Sequence, residues 1–258
     1  MKYFTVFIFL ALLLSSCKNK LDFEGQTFEK KSHLPCTEIC PHVFIQIPVA
    51  KGVPGVADRI NQKVFSVIKL YVDPVIGRFY FERINNDSLL KTLQHAPINY
   101  ESLLTTYINY LEKKRRENPD DKFPSKLTLT GNVTYQSDKI INIQLNCNTN
   151  SSVGNIFSAR DYESVTSLIF DARTGKLIHN KALFKDTKAF TAFAEQKVRK
   201  KFKTLFRGEE EFRLPQNFLF TDKGLLLYYN RYEIDGRSDG TQELLLPFQE
   251  VEPYLITR

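Results

Sequence analysis

The stretch Ile141-Asn142-Ile143-Gln144-Leu145-Asn146-Cys147 alternates apolar and polar residues from end to end. A period of two places the apolar side chains on one face of a β-strand and the polar ones on the other. Leu127 and Leu129 begin a similar run upstream, and Gln136-Ser137-Asp138 separates the two runs as a turn. The pattern predicts an antiparallel hairpin, with Cys147 on its apolar face as an inert thiol that packs like a small hydrophobe.

Further strands and helices are predicted on both sides of this hairpin. Runs of β-branched and aromatic residues predict strands at 43–48, 162–170, 217–220, 225–232 and 244–247. Apolar spacings of three and four predict helices at 56–71 and 100–111, and Asp186 can cap a third that runs to residue 205. Gly175, in the turn after the strand at 162–170, can take positive φ. We therefore expect an α+β fold, with antiparallel sheets and a few amphipathic helices packed on them.

The composition is that of a globular protein with an aromatic core. The chain has 21 Phe and 12 Tyr but no Trp, which favours a β-rich interior. Its formal net charge is +7, and 25% of its residues are charged, with both signs present. This balance would suit anionic neighbours such as phospholipid headgroups, but an ordinary solvated surface explains it more simply. The sequence carries no nucleic-acid-binding signature, so nucleic acid is not an expected partner.

The N-terminus has the features of a bacterial lipoprotein signal peptide. Lys2 precedes an apolar run from Tyr3 to Leu14, which is shorter than the roughly 20 residues that a membrane-spanning helix needs. The small residues Ser15 and Ser16 stand directly before Cys17. We therefore expect residues 1–16 to be removed and Cys17 to carry the lipid. The alternative is an ordinary thiol that follows a secretory cleavage site.

This signal and the periodic pattern predict four segments. Residues 1–16 are the signal peptide, and the polar, aperiodic residues 17–35 form a lipidated tether. Two adjoining small α+β domains follow, at 36–155 and 156–258. Because several acyl chains anchor a protein firmly, we expect a soluble body held at a bacterial membrane in the cell envelope, with the outer membrane or the periplasmic face favoured.

Two thiols and two imidazoles lie close together in His33-Leu34-Pro35-Cys36-Thr37-Glu38-Ile39-Cys40-Pro41-His42. We favour a disulfide between Cys36 and Cys40, because an exported chain folds in a compartment that permits disulfides. Free or otherwise paired thiols and a soft-metal site are the alternatives. No cofactor is predicted.

The C-terminal part of the chain resembles a family of envelope domains of unknown function. The resemblance is carried by 218–234, which contains Tyr232-Glu233-Ile234, by 240–248 and by 251–255. That family occurs as the ectodomain of lysozyme-sensing anti-sigma factors and as an accessory domain of some polysaccharide deacetylases. Phe170-Asp171, followed by Thr174-Gly175-Lys176, is similar to the start of the same domain.

Two departures from the family's pattern limit what the resemblance implies. Ser158-Ala159-Arg160-Asp161 stands where members often have Gly-Gly-Ala-His, so no role of that histidine transfers to this chain. Asp235-Gly236-Arg237-Ser238-Asp239 replaces an Ala-Pro-Tyr type of loop. The resemblance implies a module that binds an envelope component or an exogenous protein such as lysozyme.

Motifs of hydrolytic catalysis, such as His-Glu-x-x-His and Gly-x-Ser-x-Gly, do not occur in the sequence. We therefore expect a non-enzymatic, membrane-anchored binding module with a protein or glycan ligand. An accessory subunit of cell-wall polysaccharide enzymes and a cysteine-based metal or redox lipoprotein are the alternatives. A candidate binding surface, for which packing within the sheet is the competing explanation, comprises Tyr228, Tyr229, Tyr232, Asp235 and Arg237.

The substitution Cys17→Ser is expected to abolish labelling of the chain by a metabolic fatty-acid analogue, because it removes the thiol that accepts the lipid. In-gel detection of the label measures this directly. Ser16→Ala, which keeps a small residue before the same thiol, is the matched control. Equal labelling of the wild type and of Cys17→Ser would contradict the predicted lipid attachment.

Overall fold

A computed structural model describes residues 20–35, 40–72, 97–117, 126–150, 162–203, 212–231, 233–234 and 240–256. The strands in these ranges are β1 (Asp22–Lys31), β2 (His42–Lys51), β3 (Lys126–Gln136), β4 (Ile140–Asn150), β5 (Tyr162–Asp171), β6 (Asn217–Phe220), β7 (Gly224–Tyr229) and β8 (Gln242–Pro247). The helices are α1 (Pro54–Val72), α2 (Tyr100–Glu117), α3 (Thr187–Lys201) and α4 (Phe248–Val251), with a 3₁₀ turn at Asn180–Leu183. Among the helices of these ranges, none combines the length and the apolar character needed to cross a membrane.

The strands form two sheets. The larger has the order β1-β2-β3-β4-β5, and the smaller has the order β6-β7-β8. All neighbouring pairs are antiparallel except β2 and β3, which run parallel. The long crossover that a parallel pair needs contains α1 and α2. The predicted hairpin is confirmed as β3 and β4, and the predicted α+β class is confirmed.

Strand β1 corrects the prediction that residues 17–35 form a lipidated tether outside the folded domains. Residues 22–31 instead pair with β2 over its whole length. The strand was missed because it lies at the edge of the sheet, where charged residues alternate with half-buried ones and no fully buried apolar face develops. Phe23 and Phe28 still pack against the core, and the Phe28 ring stacks on Tyr100 with centroids 4.1 Å apart.

The predicted boundary between residues 155 and 156 divides the larger sheet. Strands β4 and β5 lie on either side of it and pair from Ile140 opposite Asp171 to Thr149 opposite Tyr162. The boundary is therefore wrong as the limit of the first sheet.

Strand β2 also extends beyond its predicted end at Pro48. Its pairing with β3 stops at Gln46, so Pro48, which has no N–H, breaks no hydrogen bond to β3.

One face of the larger sheet carries α1 and α2 and encloses the first core. Helix α1 packs on β2, and α2 packs on β1 and β2. The alternating residues of the hairpin point into this core as predicted, and Cys147 is 2% exposed with a free thiol. Burial raises the pKa of the Cys147 thiol to about 12, so the sulfur stays protonated and unreactive at neutral pH.

The second core lies on the other side of β4 and β5, against the smaller sheet and α3. Ile140 and Ile169 contribute from the larger sheet, and the Phe184 and Phe190 rings stack with centroids 3.8 Å apart. Asp186 caps α3 as predicted, because its side chain accepts hydrogen bonds from the backbone N–H groups of Lys188 and Ala189. The helix ends at Lys201, earlier than the predicted residue 205.

The turn after β5 requires glycine for two reasons. Gly175 has φ +68°, which confirms the predicted positive φ. A Cβ at this position would also lie 2.6 Å from the carbonyl oxygen of Val56, near the start of α1. The turn is thereby held close to the first helix.

The fully buried side chain of Asn142 joins the two sheets. Its Oδ1 accepts a hydrogen bond from the Phe220 backbone N–H at 2.6 Å, and its Nδ2 donates to the Ser167 hydroxyl at 2.9 Å and to the Leu168 carbonyl at 3.2 Å. The Ser167 hydroxyl in turn donates to the Phe218 carbonyl at 2.6 Å. Strand β6 is therefore attached to the larger sheet through side chains.

The substitution Asn142→Ala is expected to lower the free energy of unfolding by about 2–4 kcal/mol, because it leaves the buried Phe220 N–H without an acceptor. Asn148→Ala is the matched control, because Asn148 lies on the same strand and the same face but is exposed. It should change the stability by less than about 0.5 kcal/mol. Urea denaturation measures both, and similar losses in the two variants would refute the role of Asn142.

Candidate functional site

A cavity of about 810 Å³ lies between α1, the outer edge of β5 and the segments that lead into the smaller sheet. Its volume falls within the range of about 300–1,000 Å³ that is typical of small-molecule sites. Helix α1 contributes Lys63, Val67 and Tyr71, and β5 contributes residues 164–168. The opposite wall comes from residues 177–181, 214–218, 230, 231 and 233, with Phe184 and Thr187.

The outer edge of β5 is closed at three positions. The Asn230 side chain accepts a hydrogen bond from Val165 N–H at 2.8 Å and donates one to the Val165 carbonyl at 3.0 Å, as a neighbouring strand would. Asn217 Oδ1 accepts from Ser167 N–H at 2.9 Å, and the Ile178 N–H donates to the Ile169 carbonyl at 2.7 Å. These positions cannot pair with an added peptide strand, so a ligand in the cavity meets side chains.

Three hydroxyl groups lie together on the inner wall of the cavity. Ser164 is 4% exposed, and within the described ranges its Oγ has no hydrogen-bond partner. The Tyr71 hydroxyl lies 2.5 Å from Thr166 Oγ1, within hydrogen-bond distance. An unpaired buried hydroxyl costs free energy, and its presence at a cavity wall indicates a position where a ligand can supply the missing bond.

Tyr71 is a neutral hydrogen-bonding group at physiological pH. Burial raises the pKa of its phenol to about 12, and the nearby Cys147 acts in the same direction. The hydrogen bond with Thr166 and a weaker interaction with Ser164, which does not meet hydrogen-bond geometry, lower the pKa in part. The phenol therefore keeps its proton and can take part in recognition without acting as a base.

The charged groups that line the cavity are mainly cationic. Lys63 is 7% exposed, Arg231 is half-buried, and Lys181 is exposed at the rim. Glu233 is the carboxylate that shares this lining. The cavity therefore has a positive electrostatic character that favours an anionic or electron-rich ligand.

Both oxygens of Glu233 are occupied by the backbone. Oε1 accepts from the Gln216 N–H, and Oε2 accepts from the Asn230 N–H at 2.8 Å. Burial raises the pKa of this carboxyl, and the two backbone hydrogen bonds lower it. The glutamate of the Tyr-Glu-Ile sequence thus holds the two segments of the cavity wall together.

The predicted binding surface is wrong for the two tyrosines that the structure describes. Tyr228 is 5% exposed and packs with Val165 and Leu219, and Tyr229 is 2% exposed and donates its hydroxyl hydrogen bond to the Arg213 carbonyl at 3.2 Å. Both side chains are buried because β7 is the central strand of the smaller sheet and is covered on both faces. Tyr232, Asp235 and Arg237 lie outside the described residues.

The cysteine cluster is described only in part. Cys40 is disulfide-bonded, whereas Cys17 and Cys36 lie outside the described residues, so the pairing of Cys36 with Cys40 stays a prediction. His42 Nε2 lies 2.9 Å from Glu29 Oε1 on the neighbouring strand. Across the described ranges, no group of three or more His, Cys, Asp or Glu side chains could hold a metal ion.

Polar residues at three positions where the periodic pattern calls for apolar ones mark this cavity in the sequence. Ser164 and Thr166 occupy the same face of β5 as Leu168 and Phe170, where the period of two calls for apolar residues. Lys63 likewise interrupts the apolar side of α1. A polar residue at a buried position of a periodic element is the kind of local inconsistency that marks functional sites.

A DUF3298 domain is present in residues 181–249, where the chain matches the family described as "Protein of unknown function (DUF3298)". This range contains α3 and all three strands of the smaller sheet, and residues 181, 187, 214–218, 230, 231 and 233 of the cavity wall fall within it. No match is found among curated proteins.

Two solved structures share the fold of nearly the whole chain. A member of the DUF3298 family from Bacteroides fragilis superposes with a TM-score of 0.59 at 15% identity, covering 92% of this chain and 94% of its own. A DUF3298 family protein from Pseudomonas aeruginosa gives 0.55 at 17% identity, covering 92% and 95%. The fold therefore extends well beyond the matched domain and includes the larger sheet.

Proposed function

We propose that this chain is a non-catalytic binding module, tethered to a bacterial envelope membrane through lipid on Cys17, and that the cavity beside β5 is its ligand site. The observation that carries the proposal is the buried Ser164 hydroxyl, which lines the cavity and has no hydrogen-bond partner in the described part of the chain. Signal-peptide features around Cys17 support the tether.

Binding is favoured over catalysis by the state of the ionisable groups in the cavity. A raised pKa in a cleft is a common sign of a catalytic acid, and Glu233 has one. Both of its oxygens, however, accept hydrogen bonds from the backbone, so the carboxyl serves to hold the wall in place. Tyr71 is neutral, and its hydroxyl already contacts Thr166. Recognition by hydrogen bonds and charge is what these groups can provide.

The proposed ligand is an envelope component or an exogenous protein such as a lysozyme-like hydrolase. The resemblance to ectodomains of lysozyme-sensing anti-sigma factors supports this choice by analogy. The cavity supports an envelope component that enters as a small molecule or a small group, because apolar walls with a few convergent polar groups are typical of small-molecule sites. An accessory role beside cell-wall polysaccharide enzymes would use the same site.

The substitution Gln216→Trp is expected to weaken ligand binding at least tenfold, because Gln216 is exposed at the cavity rim and an indole there would obstruct the entrance. The full chain, held in lipid vesicles by its own anchor, is titrated with soluble peptidoglycan fragments and with lysozyme. Asp222→Trp is the matched control, because Asp222 is exposed in the turn between β6 and β7 and does not line the cavity.

Binding to either probe that is lost in Gln216→Trp and kept in Asp222→Trp would support the proposal. Equal binding by the two variants would place the ligand site elsewhere. A wild-type chain that binds neither probe would contradict the proposed function itself.

A further inference from the structure

The chemistry of the cavity beside β5 narrows the class of its ligand, and this step rests on the proposed function. A peptide that binds by strand addition needs unpaired backbone groups along a sheet edge. Four such groups on β5 already have partners: both backbone groups of Val165 bond to Asn230, the Ser167 N–H bonds to Asn217, and the Ile169 carbonyl accepts from Ile178. The edge that borders the cavity is therefore unsuited to main-chain recognition.

The walls combine apolar surface with hydroxyl groups. Val67, Leu177 and Pro215 contribute apolar side chains to the lining, while Ser164, Tyr71 and Thr166 place their hydroxyls on the inner wall. A sugar ring has the matching character, because its C–H faces are apolar and its rim carries hydroxyl and amide groups. The buried, unpaired Ser164 hydroxyl is suited to a hydrogen bond with such a rim.

The charges of the cavity add a requirement for an anion. Lys181 and Arg231 line the part of the space nearest to solvent, and the carboxylate of Glu233 is bonded to backbone N–H groups on both oxygens. A neutral sugar would leave the cations of the lining without a counter-charge from the ligand. A carboxylate on the sugar would supply it through charge-assisted hydrogen bonds.

We propose that the cavity beside β5 binds a carboxylate-bearing oligosaccharide, with Lys181 and Arg231 facing the carboxylate and Ser164 bonded to a hydroxyl or acetamido group of the sugar. Lys181 lies at the rim and Arg231 is half-buried, so both can meet a ligand that enters from solvent. Ser164 lies at the buried inner wall. One end of the ligand would thus be bound by charge-assisted hydrogen bonds and the other by a hydrogen bond to a neutral hydroxyl.

The proposal is tested with two disaccharides that differ in the carboxylate. The full chain in lipid vesicles is titrated with N-acetylglucosaminyl-N-acetylmuramic acid and with chitobiose, which lacks the lactyl carboxylate. We expect the acidic disaccharide to bind at least tenfold more tightly. Lys181→Gln combined with Arg231→Gln should remove this difference, and Lys188→Gln combined with Lys223→Gln, which alters exposed cations outside the cavity, should preserve it.

A second variant tests the buried hydroxyl without depending on charge. Ser164→Ala should weaken both disaccharides several-fold while leaving thermal stability unchanged, because within the described ranges the hydroxyl has no bond to lose in the free protein. Unchanged affinity in this variant would overturn the assigned role of Ser164.

The outcomes separate this inference from the proposed function. Equal affinity for the two disaccharides, or binding of lysozyme with no binding of either sugar, would overturn the carboxylate-bearing saccharide and leave a binding module. Failure of every probe, lysozyme and peptidoglycan fragments included, would contradict both.

Discussion

Asn142 supplies the bonds by which two sheets with separate strand ladders become one structure. Strands β4 and β5 have an apolar core on each side, so the polar face of β4 meets protein at this position. A buried amide there must use its donors and its acceptor, and it does so with Ser167, Leu168 and Phe220. Together with the apolar contacts of the second core, this network and the Asn217 and Asn230 caps on β5 attach the smaller sheet; no strand ladder joins the two sheets in the part of the chain that the structure describes.

The cavity is a consequence of that attachment. A sixth strand paired along β5 would occupy the space of the cavity. Instead, the side-chain amides of Asn230 and Asn217 accept hydrogen bonds from the Val165 and Ser167 N–H groups, and the space beside β5 stays open. Glu233 fixes the far wall by bonding the backbone at Gln216 and Asn230. The same residues that block the sheet edge against unwanted pairing therefore shape the site that we propose for a ligand.

Much of the fold could be predicted from periodicity, but the site could not. The hairpin of β3 and β4, the helix α1 and the Asp186 cap depend on local patterns that the sequence displays directly. A period of two does not reveal whether a polar face meets water or a second sheet, so Asn142 looked like any other polar position of its strand. Strand β1 was missed because edge strands keep charged residues. Tyr228 and Tyr229 were wrongly predicted to be exposed, because the burial of β7 depends on elements that are distant in sequence.

We infer that side-chain amides bond the smaller sheet to the larger one as firmly as a strand ladder would. Native-state hydrogen exchange, followed residue by residue by NMR, tests it on the backbone amides of Val165, Ser167 and Phe220, whose acceptors are all asparagine side chains. If these bonds are as firm as a ladder, the three amides are strongly protected and share one opening free energy close to that of the β4–β5 ladder. Exchange of these three amides as rapid as that of an exposed turn residue such as Asp222 would contradict it.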